Sequence, residues 1–269
     1  PETQALIQEG LRFGISEQAV SDQIEDIGLI VSAYDRGQKL SVVANEAGTG
    51  KTFVLGGAIR ELKARGVQSV LYVTMNQDLI AQIQSNLKAY SIDHVEFETY
   101  SKLSTTKPSE MGEYDLVVFD ESHNVKNKDS KSGKLASMLI GGSKFTIFGS
   151  ATPFENPVQA EYLEPTGIFD GSGGFVEWVK AYGAAVRKIK SFDYATSTET
   201  IIEIPYWPNK NVQDAAAARL WFEKQGIITS REMKLPPGSV NTTFEKVMVD
   251  AYYVDLYKQV DDVYQEILR

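Results

Sequence analysis

Residues 45–52 read Asn45-Glu46-Ala47-Gly48-Thr49-Gly50-Lys51-Thr52, a set of types suited to holding a chain of phosphates. Glycines at 48 and 50 let the backbone wrap closely, so that successive N–H groups and a helix N-terminus converge on anionic oxygens. Lys51 supplies a fixed cation for the β and γ phosphates of a nucleotide, and the Thr52 hydroxyl supplies a ligand for Mg²⁺. Asn45 stands where the usual G-x-x-x-x-G-K-T pattern has its first glycine. A glycine-rich turn is the plainer reading of these eight residues. The flanks argue against it: apolar Leu40, Val42, Val43 and Ala44 precede the loop and a helix-compatible stretch from Phe53 to Leu62 follows, the strand–loop–helix context of a phosphate loop.

A second cluster follows the apolar run Leu116-Val117-Val118-Phe119, which is suited to a buried parallel strand and ends in Asp120-Glu121-Ser122-His123. Adjacent carboxylates at a strand end are costly to bury unless a cation meets them. Mg²⁺ is such a cation: Asp120 would hold it through its hydration shell, while Glu121 polarises the water that attacks the γ-phosphate. Alone, Asp-Glu after a strand also fits a solvated loop start; behind a phosphate loop in a chain that alternates strands and helices, the metal reading is the stronger. His123 fits either coupling of this site to a neighbouring strand or a local hydrogen bond. The chain has two histidines, His94 being the other, too few for a histidine metal cluster. A third strand-like run, Lys144 to Gly149, ends in Ser150-Ala151-Thr152-Pro153, whose small hydroxyl residues could bond the Asp-Glu pair and relay nucleotide state. In isolation they would read as a strand cap and proline turn.

The elements that must carry these groups are legible in outline. From Gln23 to Phe154 apolar strands alternate with helical stretches, which predicts an α/β fold with a mostly parallel sheet flanked by helices. Val70 to Thr74 reads as a strand and Asp78 to Tyr90 as the helix after it. Beyond Pro157 the alternation stops; Phe175 to Lys190 and Asn211 to Gln225 read as helices around the Gly171–Gly174 loop and a mixed stretch. The last helix, Asp250 to Arg269, carries Tyr253, Leu256, Tyr257, Val260 and Tyr264 at helical spacing. That stripe suits packing against a neighbouring domain better than base stacking.

At 269 residues with 42% hydrophobic and 23% charged composition, the chain can bury a full core. It has no cysteine, hence no disulfide framework. No run of about 18 apolar residues and no charged-then-apolar leader occur, so no membrane partner and an intracellular location are expected. A net charge of −9 disfavours polyanion binding by the surface as a whole. The best local patch is Lys126, Lys128, Lys131 and Lys134, which equally fits a solvated charge run.

Taken in order, the phosphate loop, Asp120-Glu121-Ser122-His123 and Ser150-Ala151-Thr152 resemble motifs I, II and III of superfamily 2 helicases and translocases. Gln23-Ile24-Glu25-Asp26-Ile27 with Tyr34-Asp35-Arg36-Gly37, Asn45-Glu46-Ala47-Gly48, Glu98 to Leu103, Asp120 to Asn127, Thr152 to Asn156, and Arg231 to Pro237 are similar to segments of the Swi/Snf-like branch. Ala217, Arg219, Ser230 and Arg231 resemble the strawberry notch and phage-type relatives as well. The resemblance implies a RecA-like first lobe binding ATP through Gln23, which would read adenine, and through Asn45, Glu46, Ala47, Gly48, Thr49, Gly50, Lys51 and Thr52. Thr52 and Asp120 would hold Mg²⁺, Glu121 and Lys51 would be catalytic, and His123, Ser150, Ala151 and Thr152 would couple. Motif Ia (Thr74, Asn76) and motif Ib (Thr99, Tyr100), with Lys126 and Lys128, would contact nucleic acid. The implied organisation is an N-terminal arm (1–19), the ATP-binding lobe (20–160), a helical insertion after motif III (161–249) and a helix (250–269) leading to a second lobe. Nothing after Arg231 resembles motifs V and VI. The implied activity is DNA-stimulated ATP hydrolysis driving movement on double-stranded DNA. The alternatives are a strand-separating DNA or RNA helicase and a nucleotide-gated scaffold that does not cycle, the latter disfavoured by intact Lys51, Asp120 and Glu121.

Overall fold

In the computed structural model, residues 16–231 are described, apart from 47, 90, 194–197 and 209–210. Helix α1 (Glu17–Asp35) starts at Ser16, whose hydroxyl accepts the Ala19 N–H, and buries Val20, Gln23, Asp26, Ile27 and Ile30 along one stripe. Strand β1 (Leu40–Val43) delivers the phosphate loop to α2 (Lys51–Ala64). Then come β2 (Val70–Thr74), α3 (Gln77–Ala89), β3 (Val95–Thr99) and the single-turn α4 (Tyr100–Leu103). Strand β4 (Leu116–Asp120) leads through a 3₁₀ turn at Ser122–Val125 to α5 (Lys131–Gly142), and β5 (Phe145–Gly149) follows. A 3₁₀ stretch at Pro157–Thr166, α6 (Phe175–Ala181), β6 (Ala185–Asp193), β7 (Thr198–Tyr206), α7 (Val212–Lys224) and β8 (Ile228–Thr229) complete the described chain.

Six strands form one sheet in the order β3-β2-β4-β5-β1-β8, and every pairing in it is parallel. Strands β1, β2 and β5 are buried at every residue, as expected for a parallel sheet covered on both faces. Alternation sorts the side chains. Leu40, Val42, Leu71, Val73, Val117, Phe119 and Phe148 face α4, α5, α6 and α7. Val43, Val70, Tyr72, Leu116, Val118, Phe145 and Ile147 face α1, α2 and α3. The chain passes from β1 over β5 and β4 to β2 and later returns to β4 and β5, so the strand order reverses beside β1, where open α/β sheets bind ligands at their C-terminal ends.

The region after motif III departs from the expected helical insertion. The helix expected over Phe175 to Lys190 stops at Ala181, and Gly183 turns the chain with φ 81°, a conformation that favours glycine. The following Val186, Ile189, Ile201, Ile202 and Ile204 are β-branched and pair in a two-stranded antiparallel sheet, with Ile189 opposite Ile202. Beyond it β8 adds to β1 of the main sheet, so that sheet draws on residues well past 160, the expected end of the first lobe. An aromatic cluster holds this region to the sheet: Tyr162 meets Phe148 at 5.2 Å, Phe222 meets Phe154 at 4.9 Å, and Phe169 meets Trp178 at 4.7 Å. Of the expected N-terminal arm, residues 17–19 already belong to α1, and residues 1–15 lie outside the described part. So do the Leu235-Pro236-Pro237 segment and the expected helix 250–269.

Candidate nucleotide-binding site

Gly48 and Gly50 both have left-handed backbones, at φ 82° and 84°, and Gly50 is the N-cap of α2. A Cβ at Gly50 would lie 2.2 Å from Gln23 Nε2, so the position admits no side chain in this packing. Gln23 reaches over from α1 and donates from Nε2 to the Thr49 carbonyl at 2.9 Å. Lys51 folds its ammonium onto the loop itself, donating to the carbonyls of Asn45 at 3.1 Å and Glu46 at 3.3 Å. The Thr49 hydroxyl donates to the Glu46 carbonyl at 2.7 Å. Thr52 lies in the first turn of α2 and is half-buried. Ala47 is outside the described residues.

Sheet register brings the three motifs together. Val43 pairs with Gly149, and Gly149 pairs with Asp120, so the loop, the Asp-Glu pair and Ser150 leave the ends of three adjacent strands. Asp120 is largely buried; burial, and next the neighbouring Glu121 carboxylate, push it up to about 6, while the Tyr72 hydroxyl and the Lys51 ammonium pull the other way. Glu121 takes a left-handed backbone, φ 55° and ψ 52°, which costs a non-glycine residue roughly 1–2 kcal/mol. Such strain is typical of residues aimed for a task. The Asn124 side-chain amide holds the turn by donating to the Glu121 carbonyl at 2.8 Å. His123 lies between Glu121 and Ser150, with Nδ1 3.3 Å from Glu121 Oε2 and 3.5 Å from Ser150 Oγ. The Thr152 N–H bonds back to Ser150 Oγ at 3.2 Å, and Ala151 is exposed between them.

The groups gathered here are of the types that would hold a magnesium nucleotide. The Gln23 Oε1 and Asn45 Oδ1 acceptors are buried without a hydrogen-bond partner, and a buried acceptor left so costs about 1–3 kcal/mol. Gln23 Oε1 is an acceptor left without a donor, which an amine-bearing group reaching it would satisfy. Asp120 is a carboxylate destabilised by burial and by Glu121, which a divalent cation would relieve.

The nucleic-acid contacts expected from the resemblance fare differently. Thr74, Thr99 and Tyr100 are buried, so their side chains are not exposed for such a contact. Thr99 instead caps α4 by accepting the Lys102 N–H at 3.1 Å, and Tyr100 donates its hydroxyl to the Asp120 carbonyl at 2.7 Å. Both answer local backbone needs. Asn76 is exposed and caps α3 through the Leu79 N–H at 2.9 Å. Lys126 donates to the Thr152 carbonyl at 2.6 Å and Lys128 pairs with Glu161 at 2.5 Å, so both cations brace the segment after β5, while Lys131 and Lys134 point outward on α5.

Residues 38–148 match the family described as Schlafen group 3, DNA/RNA helicase domain. The Uncharacterized ATP-dependent helicase YqhH of Bacillus subtilis (strain 168) is 24% identical over 169 residues, covering 56% of this chain and 30% of that protein. The Sulfolobus solfataricus SWI2/SNF2 ATPase core in complex with dsDNA superposes with a TM-score of 0.54 at 20% identity, over 78% of this chain and 43% of its own. The chain shares the fold of that ATPase core, a mostly parallel sheet flanked by helices. It spans less than half the length of either relative. The S. solfataricus core domain solved without that complex gives a TM-score of 0.48 at 19% identity.

Sequence reasoning missed several residues that shape the lobe's site. Asp26 is 1% exposed and accepts the Asn45 side-chain amide at 2.8 Å. Its signal was present: it lies three residues after Gln23 on the same helical stripe as Val20, Ile27 and Ile30, so it must point inward. Tyr72 is buried beside Asp120, and its strand alternation alone gave its face. Asn124 and Arg231 lie in segments that carry the family resemblance, which gave neither of them a contact.

Proposed function

We propose that the chain is the ATP-binding first lobe of a DNA-dependent ATPase that translocates on double-stranded DNA. The observation that carries this reading is the junction of the Lys51 loop, the Asp120–Glu121 pair and Ser150 at the ends of β1, β4 and β5. Gln23 and residues 45–52 would hold ATP, and Thr52 with Asp120 would hold Mg²⁺. A bound magnesium nucleotide would supply a γ-phosphate with its charge neutralised for in-line attack. Lys51 would leave the Asn45 and Glu46 carbonyls for the phosphates. Glu121 would orient water and accept its proton, with His123 and Ser150 sensing that carboxylate. The S. solfataricus relative was solved with double-stranded DNA, which supports a duplex as partner. The relative lengths support a second lobe in the same polypeptide. The helicase names of the matched family and of YqhH favour the second reading, strand separation by the same motor.

Titration calorimetry tests the first step: Mg-ATP should bind this chain, and Lys51→Ala should abolish binding. Equal affinity in the two proteins would rule out the loop assignment. In the two-lobed protein, Glu121→Gln should preserve ATP affinity while lowering turnover a hundredfold or more, the scale of a lost general base. Double-stranded DNA should speed turnover of the unaltered protein, with the stimulation fading as salt rises. A rate indifferent to nucleic acid would sink the motor reading, and stimulation by single strands alone would favour the helicase.

A further inference from the structure

The strand added by β8 does not stop where regular pairing ends. Val42 donates its N–H to the Ile227 carbonyl at 2.6 Å, Ala44 to Thr229 at 2.8 Å, and Glu46 to Arg231 at 2.9 Å. These bonds recur at every second residue, so the ladder runs from β1 into the phosphate loop itself. At its end the Arg231 side chain turns back to α1. Its Nε meets Asp26 Oδ1 at 3.0 Å and its Nη2 meets Glu25 at 2.7 Å, with Asp22 at 3.8 Å. Asp26 is buried, and its other oxygen accepts the Asn45 amide. Asn45 is itself 1% exposed, and its carbonyl accepts Lys51 Nζ. A continuous chain of bonds therefore runs Arg231–Asp26–Asn45–Lys51.

We infer that Arg231 and Asp26 are positioning residues that clamp the phosphate loop through Asn45, tying its conformation to the 227–231 segment. A buried carboxylate is tolerated only when fully partnered, and removing one partner of a buried ion pair disturbs its surroundings far more than removing both. Without Arg231, Asp26 keeps one neutral donor and draws toward solvent, and Asn45 loses its fixed anchor. Asn45 then no longer holds its carbonyl for Lys51. The clamp also makes the loop and the 227–231 segment one mechanical unit. Displacing either must strain the other, and the coupling is reciprocal.

The effect on affinity rests on the nucleotide reading above; the effect on loop order does not. Amide hydrogen exchange on this chain without nucleotide, comparing the unaltered protein with Arg231→Met, reads the loop directly. Exchange across 44–52 should quicken about tenfold, while the β2 amides at 70–74 keep their rate. The Kd for Mg-ATP should rise about tenfold, and the double variant Asp26→Asn/Arg231→Met should regain most of it, because a neutral amide at 26 still accepts from Asn45 and no buried charge is left unpaired. Unchanged loop exchange in Arg231→Met, acceleration spread evenly over the sheet, or no recovery in the double variant would each overturn the inference. If the unaltered chain binds no ATP, the nucleotide reading fails while the exchange comparison still decides on the clamp.

Discussion

Asp120→Asn should stabilise the nucleotide-free lobe, although it removes the proposed metal ligand. In the folded chain burial and the Glu121 carboxylate raise this acid from 3.8 to about 6. A rise of about two pH units corresponds to roughly 3 kcal/mol of folding free energy lost once the group is charged. The sign follows from proton uptake. Between 3.8 and about 6 the folded state binds more protons at Asp120 than the unfolded state, so its contribution to stability falls as pH rises through this window. Above about 6 the penalty is complete; an asparagine, which keeps one oxygen acceptor and carries no charge, escapes it. Thermal melts at pH 8 should show the variant more stable by about 1–3 kcal/mol, or roughly 3–10 °C for a domain of this size. The gap should narrow as pH falls through about 6 and vanish below about 3, where Asp120 is protonated in both states. Saturating Mg-ATP should reverse it, because the cation compensates the carboxylate in the parent alone. A variant no more stable than the parent at pH 8, or a gap that does not change with pH, would refute the assignment of the penalty to Asp120 charge.

Two further outcomes are expected. Gly50→Ala places a methyl 2.2 Å from Gln23 Nε2 at φ 84°, and backbone strain of about 1–2 kcal/mol adds to that clash; the urea midpoint should fall and calorimetry should detect no ATP binding, whereas parent-like affinity would show that the loop is less constrained than its geometry. Tyr100→Phe removes the hydroxyl that donates to the Asp120 carbonyl at 2.7 Å and should cost about 1–3 kcal/mol in chemical denaturation, with a loss below about 0.5 kcal/mol arguing that this carbonyl finds another donor.

The local patterns determined a great deal by themselves. The glycine-rich loop, the largely apolar strands before and after it, and the carboxylate pair at the end of β4 are short-range features, written in consecutive residue types. Their order within alternating strands and helices was enough for a parallel sheet, because right-handed crossovers leave few other topologies. The β6–β7 pair was not legible, since Phe175 to Lys190 mixes helix-forming and β-branched residues. The break came from Gly183, whose turn is set by its neighbours as well as by its type. The placement of β8 against β1 was likewise invisible: two strand residues carry almost no periodicity, and the Ser41 hydroxyl that bonds the Ile227 carbonyl just before β8 lies 186 residues away in sequence. The same holds for function. The residue types at 51, 120 and 121 were enough to raise the expectation of phosphate and metal chemistry. Only tertiary structure decided that Thr74, Thr99 and Tyr100 are buried, that Lys126 and Lys128 brace the segment after β5, and that Asp26 joins Asn45 to Arg231. Burial and partnership depend on what the rest of the chain brings to a side chain, and one-dimensional spacing carries that information only for residues that share a helix face or a strand.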